Sequence, residues 1–152
     1  YVSMVLPWIR RSIFSRFGIL RKNEILSFTS KMIKRFTIQA TGPEVKTGTL
    51  SGGNLQKVLL ARELAFEPEV LLASQPTRGL DVAAAEFVHR QFLSLREKGA
   101  AIILISEDLE ELFALSDRIV VMYEGRIAGE TKINDASVED IGLLMAGATF
   151  GA

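Results

Sequence analysis

The sequence contains no cysteine, and no apolar run approaches the roughly 20 residues that cross a bilayer as a helix. The first absence excludes a disulfide scaffold and agrees with a reducing compartment. The second predicts no direct membrane span, so that any membrane role passes through a partner. A signal peptide is not predicted either, because the apolar stretch 4–6 is short and Arg10 and Arg11 follow it.

What is present is enough for a globular domain with a sizeable core. The chain has 152 residues, of which 48% are hydrophobic, and its mean hydropathy is +0.24. We find no internal repeat and no low-complexity segment. The first residue is Tyr1 rather than methionine, and we therefore expect the chain to be a piece of a longer protein.

The net charge is zero, but the charges are unevenly distributed. Residues 1–62 hold 11 basic and 2 acidic side chains, a balance of +9, whereas residues 63–152 hold 7 basic and 16 acidic ones, a balance of −9. Such asymmetry can mark a basic surface for nucleic acid or anionic lipid. The alternative, which we favour, is two subdomains with different surfaces. Because no signature of a nucleic-acid reader is present, we expect no nucleic-acid partner.

Strand and helix patterns alternate over most of the chain. Apolar runs predict buried strands over 70–73 and 101–105. A third strand is predicted over 118–122, and a fourth over 126–130 that pairs with it as a hairpin. Helices are predicted around them, with Asp81, Asp108 and Ser137 as N-caps. This order predicts an α/β domain with a largely parallel sheet.

The N-terminal third is predicted to be helical. Ile9, Ile13 and Phe17 are spaced four residues apart, as on one apolar stripe of a helix. This stripe is either a surface that faces a partner or a membrane, or ordinary core packing. Asn23 is predicted to cap a second helix that runs to about Phe36.

A glycine-rich turn precedes an apolar helix at 50–57. Ser51, Gly52 and Gly53 fall at the predicted N-terminus of that helix, where free backbone N–H groups and the helix dipole favour an anion. By itself, such a loop is more often just the start of a helix. Polar residues also follow two predicted strands immediately, at 74–75 and 106–107, where sites in parallel sheets occur.

The sequence motifs around these positions are more specific indicators of function. The segment 50–54 followed by Gln56 resembles the signature motif of ABC-type ATPases, and 75–81 resembles the family's segment from the end of Walker B to the D-loop. Asn54, the wording of 75–82 and the tail 117–126 resemble the second cassette of tandem ATP-binding subunits of bacterial simple-sugar and nucleoside importers, the nucleoside branch by preference.

The resemblance implies a fold and a domain division. Residues 1–50 would be part of the ABC helical subdomain. Residues 51–152 would be the C-terminal half of the RecA-like P-loop NTPase core, with three buried parallel strands and a C-terminal hairpin strand. Nothing in the chain reads Gly-x-x-x-x-Gly-Lys-Ser/Thr, so we expect a truncation before the Walker A loop.

The chain departs from the family pattern at the catalytic positions. Ser74 and Gln75 stand where the family has Asp-Glu, and a neutral hydroxyl is a weak partner for Mg²⁺. An amide at Gln75 can orient a water but does not take its proton. Glu107 stands where the family has its switch histidine, and an ionised carboxylate there repels phosphate. We therefore expect a degenerate site, in preference to one that uses Glu107 as a substitute base.

The signature motif, by contrast, is intact. The resemblance implies that Ser51, Gly52 and Gly53, with Asn54 and Gln56, bind ATP held by a partner cassette. Asp81 would match the D-loop and communicate between sites, although it is equally a plain helix cap.

The implied setting is that of an uptake system. The cofactors would be ATP and Mg²⁺ in the intact dimeric assembly. The partners would be a second nucleotide-binding cassette and transmembrane permease subunits, at the cytoplasmic face of the bacterial inner membrane. The competing hypothesis is a non-catalytic dimerisation or docking module with the same fold. Self-association of the chain is also expected, because a sheet edge would lie uncovered.

Overall fold

The computed structural model describes residues 2–148, so that Tyr1 and residues 149–152, the outer ends of the two predicted domains, lie outside the described part. The chain divides into two compact units. The first contains the residues up to Leu71 together with Pro76–Ala101, and the second contains Leu72–Gln75 together with the chain from Ile102 onward. The predicted division at residue 50 stays a prediction.

The elements alternate as an α/β pattern requires. In chain order they are α1 (Val2–Val5), β1 (Ser15–Arg16), β2 (Ile19–Leu20), α2 (Lys22–Arg35), α3 (Gly52–Leu64), β3 (Val70–Ser74), α4 (Val82–Glu97), β4 (Ala101–Ile105), α5 (Leu109–Leu115), β5 (Arg118–Tyr123), β6 (Arg126–Lys132) and α6 (Val138–Met145). Single 3₁₀ turns occupy Leu6–Trp8, Thr47–Thr49 and Ile133–Asp135.

The first unit is built around α2 and α3. Helix α2 buries Ile25, Thr29 and Met32, which recur at the spacing of one helix face. Ile25 packs with Val5 and Phe14 in a fully buried cluster that Trp8, Phe28 and Phe66 surround. Ile25 and Met32 on α2, and Phe36 directly after the helix, are buried.

The predicted N-terminal apolar stripe is wrong. Residues 2–8 form a short helix and a 3₁₀ turn, and β1 and β2 then pair as a tight antiparallel hairpin. Phe17 and Gly18 connect these strands with φ of 51° and 79°, a left-handed geometry that no helix accommodates. Asn23 is not the cap of α2, because the helix begins at Lys22 and Asn23 lies within it. Arg21 occupies the N-cap position and makes no side-chain capping bond.

Helix α4 begins as predicted. Asp81 Oδ1 accepts a hydrogen bond from the Ala84 amide at 2.8 Å, which satisfies one free donor of the first turn. The face that α4 buries contains Val88, Phe92 and Leu95.

Strands β3 and β4 form a two-stranded sheet. At the N-terminal end of the pair, the backbone amide of Ala101 donates to Glu69 O at 2.9 Å. At the C-terminal end, the backbone amide of Gln75 donates to Ile105 O at 2.8 Å. Because the N-terminal ends of the two strands lie side by side, and their C-terminal ends do too, the strands run parallel.

The second unit also contains the predicted hairpin. Strands β5 and β6 pair antiparallel around a two-residue turn at Glu124 and Gly125, both with positive φ, as such turns require. Helix α6, which Ser137 caps by accepting from the Asp140 amide, packs on this hairpin. The packing is close, since a Cβ on Gly129 would lie 2.7 Å from Leu144.

The burial expected of the strands is not observed. Exposed residues alternate with covered ones along β3, β4 and β5 instead of forming strands buried on both faces. Within the described residues, β5 pairs with β6 rather than extending the parallel sheet. A parallel strand is buried on both faces only where helices cover both, and a continuous apolar run does not show whether they do.

Candidate functional site

The predicted anion site lies at the exposed start of α3. Ser51 occupies the N-cap position with extended backbone (φ −63°, ψ 159°), and its side chain makes no capping bond to the helix. Ser51 and Gly52 are exposed to solvent, and Gly53 is half-buried. The backbone N–H groups of the first turn therefore face a surface that an anion can reach.

Asn54 positions the Ser51 hydroxyl. Asn54 Nδ2 donates to Ser51 Oγ at 2.9 Å, while Asn54 Oδ1 accepts from the backbone amide of Gln39 at 2.8 Å. Because Oγ accepts from Asn54, the hydroxyl hydrogen of Ser51 remains available to donate to an oxyanion. The sequence did not reveal Gln39, because a backbone donor leaves no mark in the residue pattern.

The two glycines have different surroundings. A Cβ added to Gly52 would meet nothing within 4 Å, and one added to Gly53 would lie 3.5 Å from Ala84 Cβ, an ordinary contact. Neither has positive φ. The packing of this chain therefore does not require glycine at position 52 or 53. A phosphate that approaches the backbone closely would require glycine there.

Gln56 joins α3 to the segment after β3, and Asp81 lies at the start of the neighbouring helix α4. Gln56 Nε2 donates to Pro76 O at 2.7 Å, and the Gly53–Ala84 contact places the first turns of α3 and α4 side by side. Asp81, exposed at the second of these helix starts, caps α4. The first unit therefore presents two adjacent helix N-termini. The side-chain amide of Gln56 is already bonded to Pro76 O. Contact of Gln56 with a nucleotide stays a prediction.

The second group of predicted residues lies in the second unit. Ser74 ends β3 and Gln75 follows it, while Glu107 comes after β4, whose last carbonyl accepts from the backbone amide of Gln75. Parallel pairing therefore brings these residues to one sheet edge. Ser74 and Glu107 are exposed and Gln75 is half-buried. Gln75 has φ of 49°, a left-handed conformation that is uncommon outside glycine.

The side chains at this edge are poor ligands for Mg²⁺. Ser74 offers only a hydroxyl, and Mg²⁺ prefers carboxylate and water oxygens. Residues 2–148 contain no group of three or more His, Cys, Asp or Glu side chains able to hold a metal. These donors do not fit an Mg²⁺ site. The exposed start of α3 is suited to an anion instead.

Comparison with solved structures identifies the architecture. The chain superposes on a dimeric bacterial ABC transporter cassette with a TM-score of 0.68 at 25% identity, covering 86% of this chain and 54% of that one. A nucleotide-free ATP-binding cassette from an ABC transporter gives a TM-score of 0.69 at 23% identity, covering 95% and 57%. The fold is that of an ABC ATPase cassette. The chain spans a little over half the length of those two cassettes.

The cassette sequence also has curated relatives. It is 41% identical over 136 residues to the guanosine import ATP-binding protein NupO of Bacillus subtilis, and 39% identical over 133 residues to the nucleoside import ATP-binding protein NupA of Lactococcus lactis. The ribose import ATP-binding protein RbsA of Bacillus subtilis is 41% identical over 136 residues. The alignments cover 88–90% of this chain and only 26–28% of those proteins. Models of known protein families give no match.

The comparisons test the predicted homology and fold, but not the roles of individual residues. The predicted homology to sugar and nucleoside import ATP-binding proteins and the predicted cassette fold are confirmed. The roles of individual site residues stay predictions. Among residues 2–148, no helix has both the length and the apolar content that crossing a bilayer requires.

Proposed function

We propose that this chain is part of the ATP-binding subunit of an ABC importer for a sugar or nucleoside. The fold and the printed functions of the relatives NupO, NupA and RbsA support this function. Because the chain spans about a quarter of the length of those relatives, the activity belongs to the whole assembly. In that assembly, ATP binding and hydrolysis are coupled to uptake.

The observation that carries the proposal is the exposed start of α3. Ser51 has a hydroxyl that Asn54 leaves free to donate, and Gly52 leaves open space in front of the backbone. These groups, with the amide of Gly53, are suited to the γ-phosphate of ATP held by a partner cassette. A positioned helix start stabilises the charge that develops during phosphoryl transfer.

The second part of the proposal concerns the chain's own edge at Ser74, Gln75 and Glu107. An amide at Gln75 takes no proton from water, and an ionised Glu107 repels phosphate. This site is therefore hydrolytically weak, and one working site remains, which the signature motif of this chain completes. Asp81, at the helix start beside Gly53, would link the two sites.

The printed functions of the relatives support an import system as the setting of this proposal. The partners are a second cassette and transmembrane permease subunits, ATP and Mg²⁺ are the cofactors of the intact assembly, and the location is the cytoplasmic face of the bacterial plasma membrane. The chain alone lacks the loop that cradles ATP phosphates, so purified 152-residue protein is expected to show no ATP turnover.

The test is the ATPase rate of the intact assembly carrying Ser51→Arg. The long side chain blocks the approach of the helix start, and turnover is expected to fall about a hundredfold. Gln75→Ala in parallel is expected to leave turnover nearly unchanged. Ser94→Arg is the matched control, because Ser94 is exposed on α4 and also acquires an arginine. Full activity of Ser51→Arg would show that the signature completes no active site.

One observation favours the alternative of a non-catalytic docking module. Leu72, Ile103 and Ile105 expose 66%, 57% and 51% of their surface on the β3–β4 sheet, which is the kind of apolar face that associates. This alternative predicts that the chain self-associates and that Leu72→Ser, in sedimentation, returns it to a monomer. It also predicts full ATPase activity for Ser51→Arg, so the two functions are separable.

A further inference from the structure

The β1–β2 hairpin and the turn before it carry an unusual surface. We call it the hairpin patch and define it as residues 10–13 and 16–20, all of which are exposed. Phe17 exposes 91% of its surface and Ile19 exposes 74%, while Ile13 and Leu20 are also among the exposed large apolar side chains. A cluster of this kind marks an interaction surface.

The geometry of the hairpin places the apolar side chains beside a cation. Arg16 lies directly opposite Ile19 in the β1–β2 pair, so the two side chains share one face. Phe17, at the turn, lies next to Arg16, whose guanidinium carbon is 5.4 Å from the centre of the ring. The tip therefore presents an aromatic ring, an aliphatic side chain and a positive charge together.

The patch is attached to the core of the first unit. Phe14, between its two halves, is fully buried, and its ring lies 5.0 Å from that of Phe28. The Phe14 carbonyl accepts from the Arg21 amide, and the Phe14 amide donates to Arg11 O, both at 2.9 Å. The exposure of Phe17 is thus imposed by an anchored hairpin.

The charge of this region has one sign. Residues 1–22 contain five basic and no acidic side chains. Two of the five are compensated, because Arg21 pairs with Glu24 and Lys22 pairs with Glu44. Arg10, Arg11 and Arg16 form no ion pair within residues 2–148, and the Arg11 guanidinium stacks on Trp8 and Phe66 instead.

We propose that the hairpin patch binds the surface of an anionic phospholipid bilayer. Phe17 and Ile19 would enter the boundary between headgroups and acyl chains, and Arg10 and Arg16 would lie on lipid phosphates. The surface that complements the patch is negative outside and apolar just beneath, which describes such a bilayer. An acidic protein surface without an apolar pocket would match the arginines but would leave Phe17 in water. This contact is additional to the proposed function and does not depend on it.

The test is co-sedimentation of the 152-residue chain with vesicles of phosphatidylethanolamine and phosphatidylglycerol, against vesicles of phosphatidylcholine alone. Binding is expected only to the anionic vesicles and is expected to weaken as salt is added. Arg10→Gln and Arg16→Gln should each lower the affinity about fivefold. Phe17→Asn should lower it by roughly tenfold, because the buried ring is lost.

The variants have matched controls. Asn tolerates the positive φ at position 17, so Phe17→Asn keeps the hairpin, and circular dichroism should be unchanged. Val82→Asn removes a 77%-exposed apolar side chain outside the patch, and Arg78→Gln removes an exposed arginine outside it. Neither control should change vesicle binding. Three results would overturn the proposal: equal binding to both vesicle types, unchanged binding of Phe17→Asn, or lipid-free self-association that Phe17→Asn abolishes.

Discussion

Asn54 Nδ2 lies 2.9 Å from Ser51 Oγ and donates to it, one helical turn along α3. The same side chain accepts from the Gln39 amide, so that one residue joins the start of the signature helix to the segment before it. The position of Ser51 Oγ is therefore held before any ligand arrives, which is what electrostatic stabilisation of a transition state requires.

Asn54→Asp tests this relationship. The acceptor for the Gln39 amide is retained, and a carboxylate in the first turn is favourable for the helix dipole, so the free energy of unfolding should change by less than about 1 kcal/mol. The donor to Ser51 Oγ is replaced by a negative charge that repels phosphate. The ATPase rate of the intact assembly should fall about a hundredfold. Asn54→Ala, which loses both hydrogen bonds, is the comparison, and its loss of activity should be accompanied by lower stability.

Gln75→Gly should stabilise the chain relative to Gln75→Ala. Position 75 has φ of 49°, which costs a residue with a Cβ about 1–2 kcal/mol, whereas glycine adopts it freely. Part of the gain is lost because glycine is more flexible in the unfolded chain. The glycine variant should therefore exceed the alanine variant by about 1 kcal/mol in urea unfolding. Equal stability of the two variants would mean that the conformation at this position is not strained.

Thr29→Val should raise the free energy of unfolding by about 1 kcal/mol. Thr29 is only 3% exposed, and its hydroxyl has no hydrogen-bond partner among the described residues. Valine has the same shape without the buried polar atom. Ser30→Ala is the control, since the Ser30 hydroxyl donates to Leu26 O at 2.9 Å on the same helix. A loss of stability in Thr29→Val would show that the hydroxyl is satisfied in solution.

The carboxyl group of Glu67 should titrate below its ordinary pKa of 4.5. A hydrogen bond from Lys98 is the main cause, followed by the charge of Lys98, and Arg35 adds a smaller attraction. The folded state thus favours the ionised form. Its contribution to stability is present above the unfolded pKa and is lost as the pH falls through the folded one.

Lys98→Met is therefore expected to raise the pKa of Glu67 toward 4.5, as measured from the carboxyl chemical shift during an acid titration. Arg35→Met should raise it less, because Arg35 contributes least. Both pairs are exposed, so added salt should reduce the shift in the unaltered chain. An unchanged pKa in Lys98→Met would exclude the Lys98 hydrogen bond as its cause.

The sequence by itself determined the local features. Asp81, Asp108 and Ser137 cap their helices as predicted, because a cap depends on residues only a few positions apart. The hairpin turn at Glu124 and Gly125 and the helix after Ser51 are likewise local. The resemblance to ABC cassettes also rests on short motifs, which carry chemistry through neighbouring backbone groups.

Only the tertiary structure decided what depends on residues far apart in the chain. The Ile9–Phe17 spacing fits a helix, yet burial of Phe14 and a left-handed Phe17–Gly18 turn produce a hairpin. The apolar composition of β3 and β4 does not show that one face is exposed, because cover is supplied by distant elements. The contacts of Asn54 with Gln39 and of Gln56 with Pro76 join residues 15 and 20 positions apart, and no local pattern encodes such pairs.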